Sequence, residues 1–133
     1  AITTTTPYGN IEKPIDAVKL VVEAGAVYAA RWTTYHVVQL KNSIKRALMK
    51  NGFSFIEVIS QCPTSYGRRA RFKSAVEMLN WFRENSIPIS KAKKMKMEDV
   101  RGKIVVGEFI DREEEEYSEK LHKLINKVMK REN

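Results

Sequence analysis

The sequence predicts an α/β fold: a mostly parallel sheet with helices on both faces. Segments with helical spacing of apolar residues alternate with short apolar runs that are typical of strands. The run at residues 53–60 is apolar at five positions and has Glu57 as its only charge. Such a run is typical of a strand covered on both faces, as in a parallel sheet. We therefore expect a buried, central strand at residues 53–60.

The elements before this strand are predicted from periodicity and from their end signals. Residues 1–12 lack apolar periodicity and are expected to form an extended arm. A helix is predicted from Pro14, which suits a first helical turn, to Gly25. Residues 27–32 then form a short strand.

A second helix is predicted at residues 35–51, where apolar side chains recur at helical spacing. Thr33 or Thr34 precedes it and is expected to cap its first turn through a side-chain hydroxyl. Gly52 follows it and is expected to end it before the apolar strand.

The single cysteine of the chain, Cys62, lies directly after the apolar strand. Pro63 cannot donate a hydrogen bond to a strand ladder, so the strand must end before it. Ligands gather at the carboxyl ends of strands in open α/β sheets. Cys62 is therefore the leading candidate for a functional residue.

The remaining predicted elements are a helix at residues 73–84, a connector at 87–89, a strand at 103–110 and a terminal helix at 111–133. Asp111 is expected to cap the terminal helix, with Glu113 to Glu116 in its first turn. Lys127 and Lys130 lie near its other end, so both ends suit the helix dipole.

Composition indicates one globular domain over residues 1–133. The apolar fraction of 43% is ordinary for a folded protein. No apolar stretch approaches the roughly 20 residues that a membrane helix needs, so we expect no membrane association. A single cysteine excludes an internal disulfide, and a reducing, cytoplasmic location is expected.

The net charge of +8 is compatible with several partners. A small basic nucleic-acid-binding module is one alternative, supported by the basic run at residues 91–96 and the arginines at 68–71. These cations are not interleaved with aromatic residues, and the charge is spread over several elements. An ordinary solvated surface is therefore the better interpretation, and nucleic-acid binding is not expected.

Several segments carry a resemblance. Residues 60–64, Ser-Gln-Cys-Pro-Thr, and 66–69, Tyr-Gly-Arg-Arg, resemble the cysteine–proline motif of the beta subunit of 2-oxoacid:ferredoxin oxidoreductases, of the 2-oxoglutarate type. Residues 5–12 resemble the segment that follows the thiamine-diphosphate site of that subunit. Residues 25–31 and 107–111 continue the match in the same order.

The resemblance implies the carboxyl-terminal part of a thiamine-diphosphate-binding fold. The family oxidatively decarboxylates a 2-oxoacid to an acyl-CoA and passes electrons through a 4Fe–4S cluster to ferredoxin. The wording of the motif favours 2-oxoglutarate over other 2-oxoacids as the expected substrate. The implied partners are the alpha subunit, the amino-terminal half of the beta subunit, and ferredoxin. The family's Cys-x-x-Cys segment and its Gly-Asp-Gly motif, which binds magnesium and thiamine diphosphate, are not in this sequence. We therefore expect a fragment that is inactive and binds no cofactor alone. A scaffold domain without the cofactor half is a further alternative.

The resemblance implies that Cys62 is one ligand of the 4Fe–4S cluster. A small buried core residue is the alternative for a free cysteine. Thr64 and Ser65 are expected to donate hydrogen bonds to cluster sulfurs. Arg68 and Arg69, with Arg71, are expected to pair with a partner or to face water.

No catalytic residue and no direct cofactor ligand is assigned in this chain. Residues 3–6 and 8–10 resemble the tail of the cofactor loop, but the family's diphosphate and magnesium ligands lie earlier. His36 and His122 are the only histidines, and neither has a second candidate ligand at useful spacing. Both are expected at the surface.

Overall fold

The structure, a computed structural model, describes residues 6–130. Its sheet has four strands: β1 (Tyr28–Thr33), β2 (Ser54–Ile59), β3 (Ser86–Pro88) and β4 (Ile104–Asp111). The strand order is β2-β1-β4-β3. The pairs β1–β2 and β3–β4 are parallel, whereas β1 and β4 are antiparallel. The sheet is therefore mixed, with two of its three strand pairs parallel.

The helices of the described chain are α1 (Ala17–Glu23), α2 (Val37–Leu48), α3 (Ala75–Asn85), α4 (Ile89–Ala92), α5 (Met97–Val100) and α6 (Tyr117–Met129), with a π-helical turn at Pro63–Gly67. Successive side chains of a strand point to opposite faces. Ala29 packs with Val18 of α1 on one face, while Tyr28 and Ala30 pack with Ala47 of α2 on the other. The predicted α/β fold with helices on both faces is confirmed.

The prediction of a buried central strand after Gly52 is wrong for the described chain. β2 is an edge strand, and Val58 keeps 43% of its surface exposed. β1 holds the central position instead, with Tyr28, Ala29 and Ala30 fully buried. An apolar run indicates which faces of a strand are covered, but it does not say which strands pair with its edges.

Helix α1 begins at Ala17 and not at Pro14, because Asp16 provides its cap. The Asp16 carboxylate accepts a hydrogen bond from the Lys19 backbone N–H at 3.4 Å. The helix ends just before Gly25, which has a φ of 95°. Glycine adopts this left-handed conformation without the steric cost of a Cβ.

Neither threonine caps α2 through a hydrogen bond to its first turn. The helix begins at Val37, and the preceding residue, His36, makes no side-chain cap bond. Thr33 instead accepts the Tyr35 backbone N–H at 3.3 Å and contacts His36 Nδ1 at 2.9 Å. The hydroxyl therefore closes the turn between β1 and α2.

The predicted connector at residues 87–89 contains a strand. Ser86, Ile87 and Pro88 of β3 pair in parallel with β4 from Ile104 to Val106. Three residues are too few for a periodicity signal, and proline disfavours a strand except at an edge. β3 occupies such an edge.

The terminal helix α6 begins at Tyr117, so the prediction of a cap at Asp111 is wrong. Asp111 is the last residue of β4, and it pairs with Arg46 at 3.0 Å and with Lys50 at 2.7 Å. Residues 113–116 precede the helix, and Glu113 also pairs with Lys50. Ion pairs to α2 and its following turn therefore engage Asp111 and Glu113 outside the helix. The first part of the predicted arm, residues 1–5, and the end of the predicted terminal helix, residues 131–133, lie outside the described residues.

Arg31 of β1 joins three elements on one face of the sheet. Its guanidinium pairs with Asp16, the α1 cap, at 2.5 Å and with Glu57 of β2. It also lies 5.3 Å from the ring centroid of Phe109 in β4, within range of a cation–π contact. The Arg31 side chain is only 13% exposed, so water screens these contacts weakly.

Arg31→Met is expected to lower the free energy of unfolding by about 2 kcal/mol, measured by urea unfolding. Breaking a fully buried pair costs about 3–5 kcal/mol, but Asp16 and Glu57 keep about a third of their surface. Lys19→Met is the control, since its exposed 3.5 Å pair with Asp16 is expected to contribute less than about 0.5 kcal/mol.

The Arg31 contribution is expected to depend on pH. Burial raises the pKa of Asp16, but the hydrogen bond and charge of Arg31 outweigh it and lower the pKa below 3.8. A carboxyl with a depressed folded pKa stabilises the fold above its unfolded pKa and loses that contribution in acid. The free energies of unfolding of the Arg31→Met variant and the native protein should converge as the pH falls below about 3.8. An equal difference at pH 3 and pH 7 would contradict this assignment.

Candidate functional site

The chain leaves β2 at Ile59 and enters a π-helical turn at Pro63–Gly67. The Gly67 N–H donates to the Cys62 carbonyl at 2.8 Å, and the Phe72 N–H donates to the Gly67 carbonyl at 2.9 Å. Both bonds span five residues, the spacing of a π-helix. Such turns are frequent at functional sites.

Gly67 allows this turn to pack closely against α3. It is buried, and a Cβ at this position would lie 2.7 Å from Met78 Sδ and 3.4 Å from the Cys62 carbonyl oxygen. With a larger side chain, either Met78 would have to shift or the turn would have to move away from α3. The absence of a side chain at Gly67 therefore helps to set the position of Cys62.

Cys62 is exposed at the start of this turn. The small-buried-residue alternative therefore does not fit its place in the described chain. The backbone N–H groups of Tyr66 and Ser65 and the Thr64 hydroxyl lower the pKa of the thiol. Thr64 Oγ1 lies 4.0 Å from Cys62 Sγ. The turn favours the thiolate, which is the form that binds metals.

Contacts from the end of β1 hold the residues that precede Cys62 in place. The Thr34 backbone N–H, just beyond β1, donates to the Ile59 carbonyl at 3.0 Å. The Thr34 hydroxyl donates to the side chain of Gln61, the residue before the cysteine. Sequence reasoning assigned no site role to Thr34 or Gln61. The signal available in the sequence was that both are polar residues that follow closely on predicted parallel strands.

The arginines after the turn face water. Arg68, Arg69 and Arg71 are all exposed. Arg71 has a φ of 61°, a left-handed conformation that is uncommon for a non-glycine residue. Three cations therefore lie within nine residues of Cys62 and remain open to a partner or an anion. Their predicted pairing with a partner stays a prediction.

A cleft of about 690 Å³ lies beside the turn. Its wall is largely apolar and includes Phe72, Met78 and Trp81, and its rim includes Ser60 and Gln61. Phe72 and Trp81 meet edge to face, with ring centroids 6.4 Å apart. The turn therefore stands between open solvent and an apolar recess.

The two histidines differ in their surroundings. His122 is exposed, as predicted, whereas His36 is half-buried and therefore only partly at the surface. The ring of His36 lies 5.3 Å from that of Tyr35 and 5.8 Å from that of Trp32, and burial lowers its pKa. The Thr33 hydroxyl lies 2.9 Å from His36 Nδ1, so this ring nitrogen keeps a hydrogen-bonding partner although the ring is half-buried.

The position of Cys62 suits a single ligand of an iron–sulfur cluster. Iron–sulfur clusters are held by thiolates, and an accessible thiol beside backbone N–H donors fits that requirement. Within residues 6–130, no group of three or more histidine, cysteine, aspartate or glutamate side chains is placed to hold a metal ion. Further ligands would have to come from outside the described chain.

In the described part of the chain, no helix is both long enough and apolar enough to cross a lipid bilayer.

Comparison with known proteins finds relatives that agree with one another. Residues 1–58 match the family of the thiamine pyrophosphate enzyme C-terminal TPP-binding domain. The 2-oxoglutarate synthase subunit KorB of Methanocaldococcus jannaschii is 54% identical over 94% of this chain and 46% of the relative. The KorB subunit of Archaeoglobus fulgidus is 36% identical over the whole chain and 46% of the relative. The chain thus spans less than half the length of these relatives.

A solved structure supports the fold. The 2-oxoglutarate:ferredoxin oxidoreductase from Magnetococcus marinus, with 2-oxoglutarate, coenzyme A and succinyl-CoA bound, matches with a TM-score of 0.68. The match covers 93% of this chain and 43% of that one, at 24% identity. That match supports the fold alone, whereas three KorB relatives at 51–54% identity over 92–94% of its residues show that the chain is a close relative of 2-oxoglutarate synthase subunit KorB over less than half of that subunit's length.

Proposed function

We propose that this chain is part of the beta subunit of an enzyme that oxidatively decarboxylates 2-oxoglutarate. The acyl group passes to coenzyme A, and the electrons pass through a 4Fe–4S cluster to ferredoxin. The identity of 51–54% to 2-oxoglutarate synthase subunits supports the reaction and the substrate class. The geometry of Cys62 supports the electron-transfer role.

The exposed thiol of Cys62 is the single observation on which the cluster proposal rests. It follows the carboxyl end of β2, in a turn whose N–H groups stabilise a thiolate. When bound, a 4Fe–4S cluster accepts and releases single electrons. Cys62 would supply one ligand, and the Thr64 hydroxyl beside Sγ would tune the cluster by hydrogen bonding. The other ligands belong to residues outside this sequence.

The thiamine diphosphate site is proposed to be shared with the rest of the subunit. The TPP-binding family matches only residues 1–58, which include β1 and α2. Thiamine diphosphate supplies carbanion chemistry when bound. We assign none of its contacts, and none of those of magnesium, to residues of this chain. The chain alone is therefore proposed to be inactive.

The exposed face beside β2 is proposed to contact the amino-terminal part of the same subunit. β2 has no strand partner on its outer edge within the described chain. Exposed apolar side chains lie in β2 and α2 and just before β2: Val58, Val37, Ile44, Leu48 and Phe53. An apolar patch and an open strand edge together favour burial by protein. The alpha subunit and ferredoxin complete the proposed partners, and a reducing cytoplasm suits the free thiol.

Cys62→Ser in the complete subunit is expected to remove the cluster. Loss of a hydrogen-bonding partner of a ligand already costs about 10–100-fold in metal affinity, so loss of a ligand should lower bound iron at least about tenfold. Ferredoxin reduction should fall in parallel. Iron and sulfide analysis of anaerobically purified protein measures the effect.

Thr64→Val and Ser60→Ala are the matched controls for this substitution. Both should retain iron, because neither removes a thiolate. Thr64→Val should also make the reduction potential more negative, since hydrogen bonds to sulfur favour the reduced cluster. Full iron content in the Cys62→Ser subunit would refute the cluster assignment.

The native complex containing the complete subunit is expected to reduce viologen dye when supplied with 2-oxoglutarate. The rate should require both coenzyme A and thiamine diphosphate, because the acyl group needs an acceptor and the decarboxylation needs the cofactor. Pyruvate is the comparison substrate, at equal concentration. Equal rates with the two 2-oxoacids would exclude the proposed substrate preference, and no reduction with either would exclude the enzyme.

A further inference from the structure

Cys62 lies just beyond the point where pairing between β1 and β2 ends. The Thr34 backbone N–H makes the last backbone contact of this pairing, donating to the Ile59 carbonyl at 3.0 Å. In the described chain, residues 60–62 belong to no helix or strand, and the Cys62 side chain is exposed. The position of Cys62 therefore depends on contacts beyond the strand ladder.

A contact between two side chains continues the pairing toward the cysteine. The Thr34 hydroxyl donates a hydrogen bond to the side-chain oxygen of Gln61, the residue directly before Cys62. Both side chains are half-buried, so this bond is stronger than one at an open surface. Thr34 thus holds the end of β2 through its backbone and the residue before Cys62 through its hydroxyl.

The turn that carries Thr34 is itself fixed. Thr33 is fully buried, and its hydroxyl accepts the Tyr35 N–H at 3.3 Å and lies 2.9 Å from His36 Nδ1. The His36 N–H donates to the Thr33 carbonyl at 2.9 Å. Helix α2 begins at the next residue, Val37. A buried residue and a helix start therefore hold the backbone from which the Thr34 side chain extends.

A second anchor follows Cys62 in the sequence. The Gly67 N–H donates to the Cys62 carbonyl at 2.8 Å, and Gly67 is buried against Met78 of α3. Cys62 is thus held from one side through Gln61 and from the other through the π-helical turn. Loss of the Gln61 contact would leave the second anchor alone to set the position of the cysteine.

The bond between Thr34 and Gln61 joins two parts of the chain. Thr34 lies within residues 1–58, which match the TPP-binding family, and Gln61 lies just after them. Both partners belong to the described residues, so the contact does not depend on what covers the surface of the chain. It therefore couples the matched segment to the turn that bears the cysteine.

We propose that Thr34 is a positioning residue for Cys62, acting through the side chain of Gln61. This role rests on the proposed function, in which Cys62 supplies one thiolate ligand of a 4Fe–4S cluster. Hydrogen-bonding partners around the ligands of a metal orient those ligands and tune the metal. The reduction potential of an iron–sulfur cluster depends on such bonds and on the exposure of the cluster to solvent.

Thr34→Val in the complete subunit, within the native complex, should speed hydrogen exchange of the Gly67 amide by about two- to tenfold. That range is what the loss of one hydrogen bond produces. The Gly67 amide is the reporter because it donates to the Cys62 carbonyl, and fragmentation mass spectrometry resolves it. Thr34→Ser keeps the hydroxyl and should restore slow exchange. An unchanged exchange rate in Thr34→Val would overturn the proposal.

Ser54→Ala is the matched control. It removes a half-buried hydroxyl at the opposite end of β2, where Ser54 donates to the Ala47 carbonyl at 3.3 Å. Exchange of the Gly67 amide should stay at the native rate in this variant. Equal acceleration in Ser54→Ala and Thr34→Val would mean a general loss of stability and would overturn the positioning role.

Gln61→Leu removes the other partner of the same hydrogen bond. It should speed Gly67 exchange to a similar extent, and it serves as the test if Thr34→Val fails to assemble. The double variant should show no further acceleration, because either substitution already removes the bond. A double-variant effect equal to the product of the two single effects would show that Thr34 does not act through Gln61.

The reduction potential separates positioning from stability. Thr34→Val should retain its iron, because every thiolate remains, but its potential should differ from that of the unsubstituted complex in a redox titration followed by electron paramagnetic resonance. Thr34→Ser should restore the native potential, and Ser54→Ala should not change it. An unchanged potential in iron-replete Thr34→Val would overturn the proposal.

Failure of this proposal and failure of the proposed function give different results. A native complex without iron would refute the proposed function, and exchange of the Gly67 amide, which needs no cluster, would still decide whether Thr34 holds the turn. A complex with full iron and dye reduction, in which Thr34→Val leaves Gly67 exchange unchanged, would overturn the positioning role and leave the proposed function standing.

Discussion

The parallel pairing of β1 with β2 places the candidate site, and the burial of β1 makes that pairing specific. Tyr28, Ala29 and Ala30 are inaccessible to solvent, so a register slip of one residue would turn side chains onto the wrong face. Thr33 pairs with Ile59 at the end of the ladder. The contact between Thr34 and Gln61 then follows, one residue before Cys62.

Two polar networks support this pairing from opposite faces. On one face, Arg31 links the α1 cap to β2. On the other, the buried Tyr28 hydroxyl donates to Glu108 at 2.8 Å, and Arg46 of α2 pairs with Glu108 at 2.8 Å. Burial, with the Glu108 contact, raises the pKa of Tyr28 to about 12, so its hydroxyl stays protonated and keeps donating at neutral pH. Each helix is thereby tied to the sheet by charge as well as by apolar packing.

The sequence alone predicted much of the site and less of the sheet. Pro63 had to end the strand, a constraint local to the backbone that placed Cys62 just after it, and the resemblance of the surrounding motif implied its role as a cluster ligand. The turn after it contains i+5 hydrogen bonds, which have no sequence signature as distinct as a cap. β3 was missed because three residues carry no period. The role of Asp111 was misassigned because its partners, Arg46 and Lys50, lie more than 60 residues away in sequence.

By itself, the sequence determined the alternation of helices and strands, the fold class and the end of β2 ahead of the cysteine–proline pair, whereas the exposure of Cys62 came from the structure. These depend on apolar periodicity and on the backbone limits of proline and glycine, which act over a few residues. Only the tertiary structure decided that, within the described residues, β1 is central, β4 runs antiparallel to it, β2 lies at an edge and the apolar side chains of α6 stay exposed. Strand neighbours and uncovered faces depend on contacts between distant segments, and local patterns do not encode such contacts.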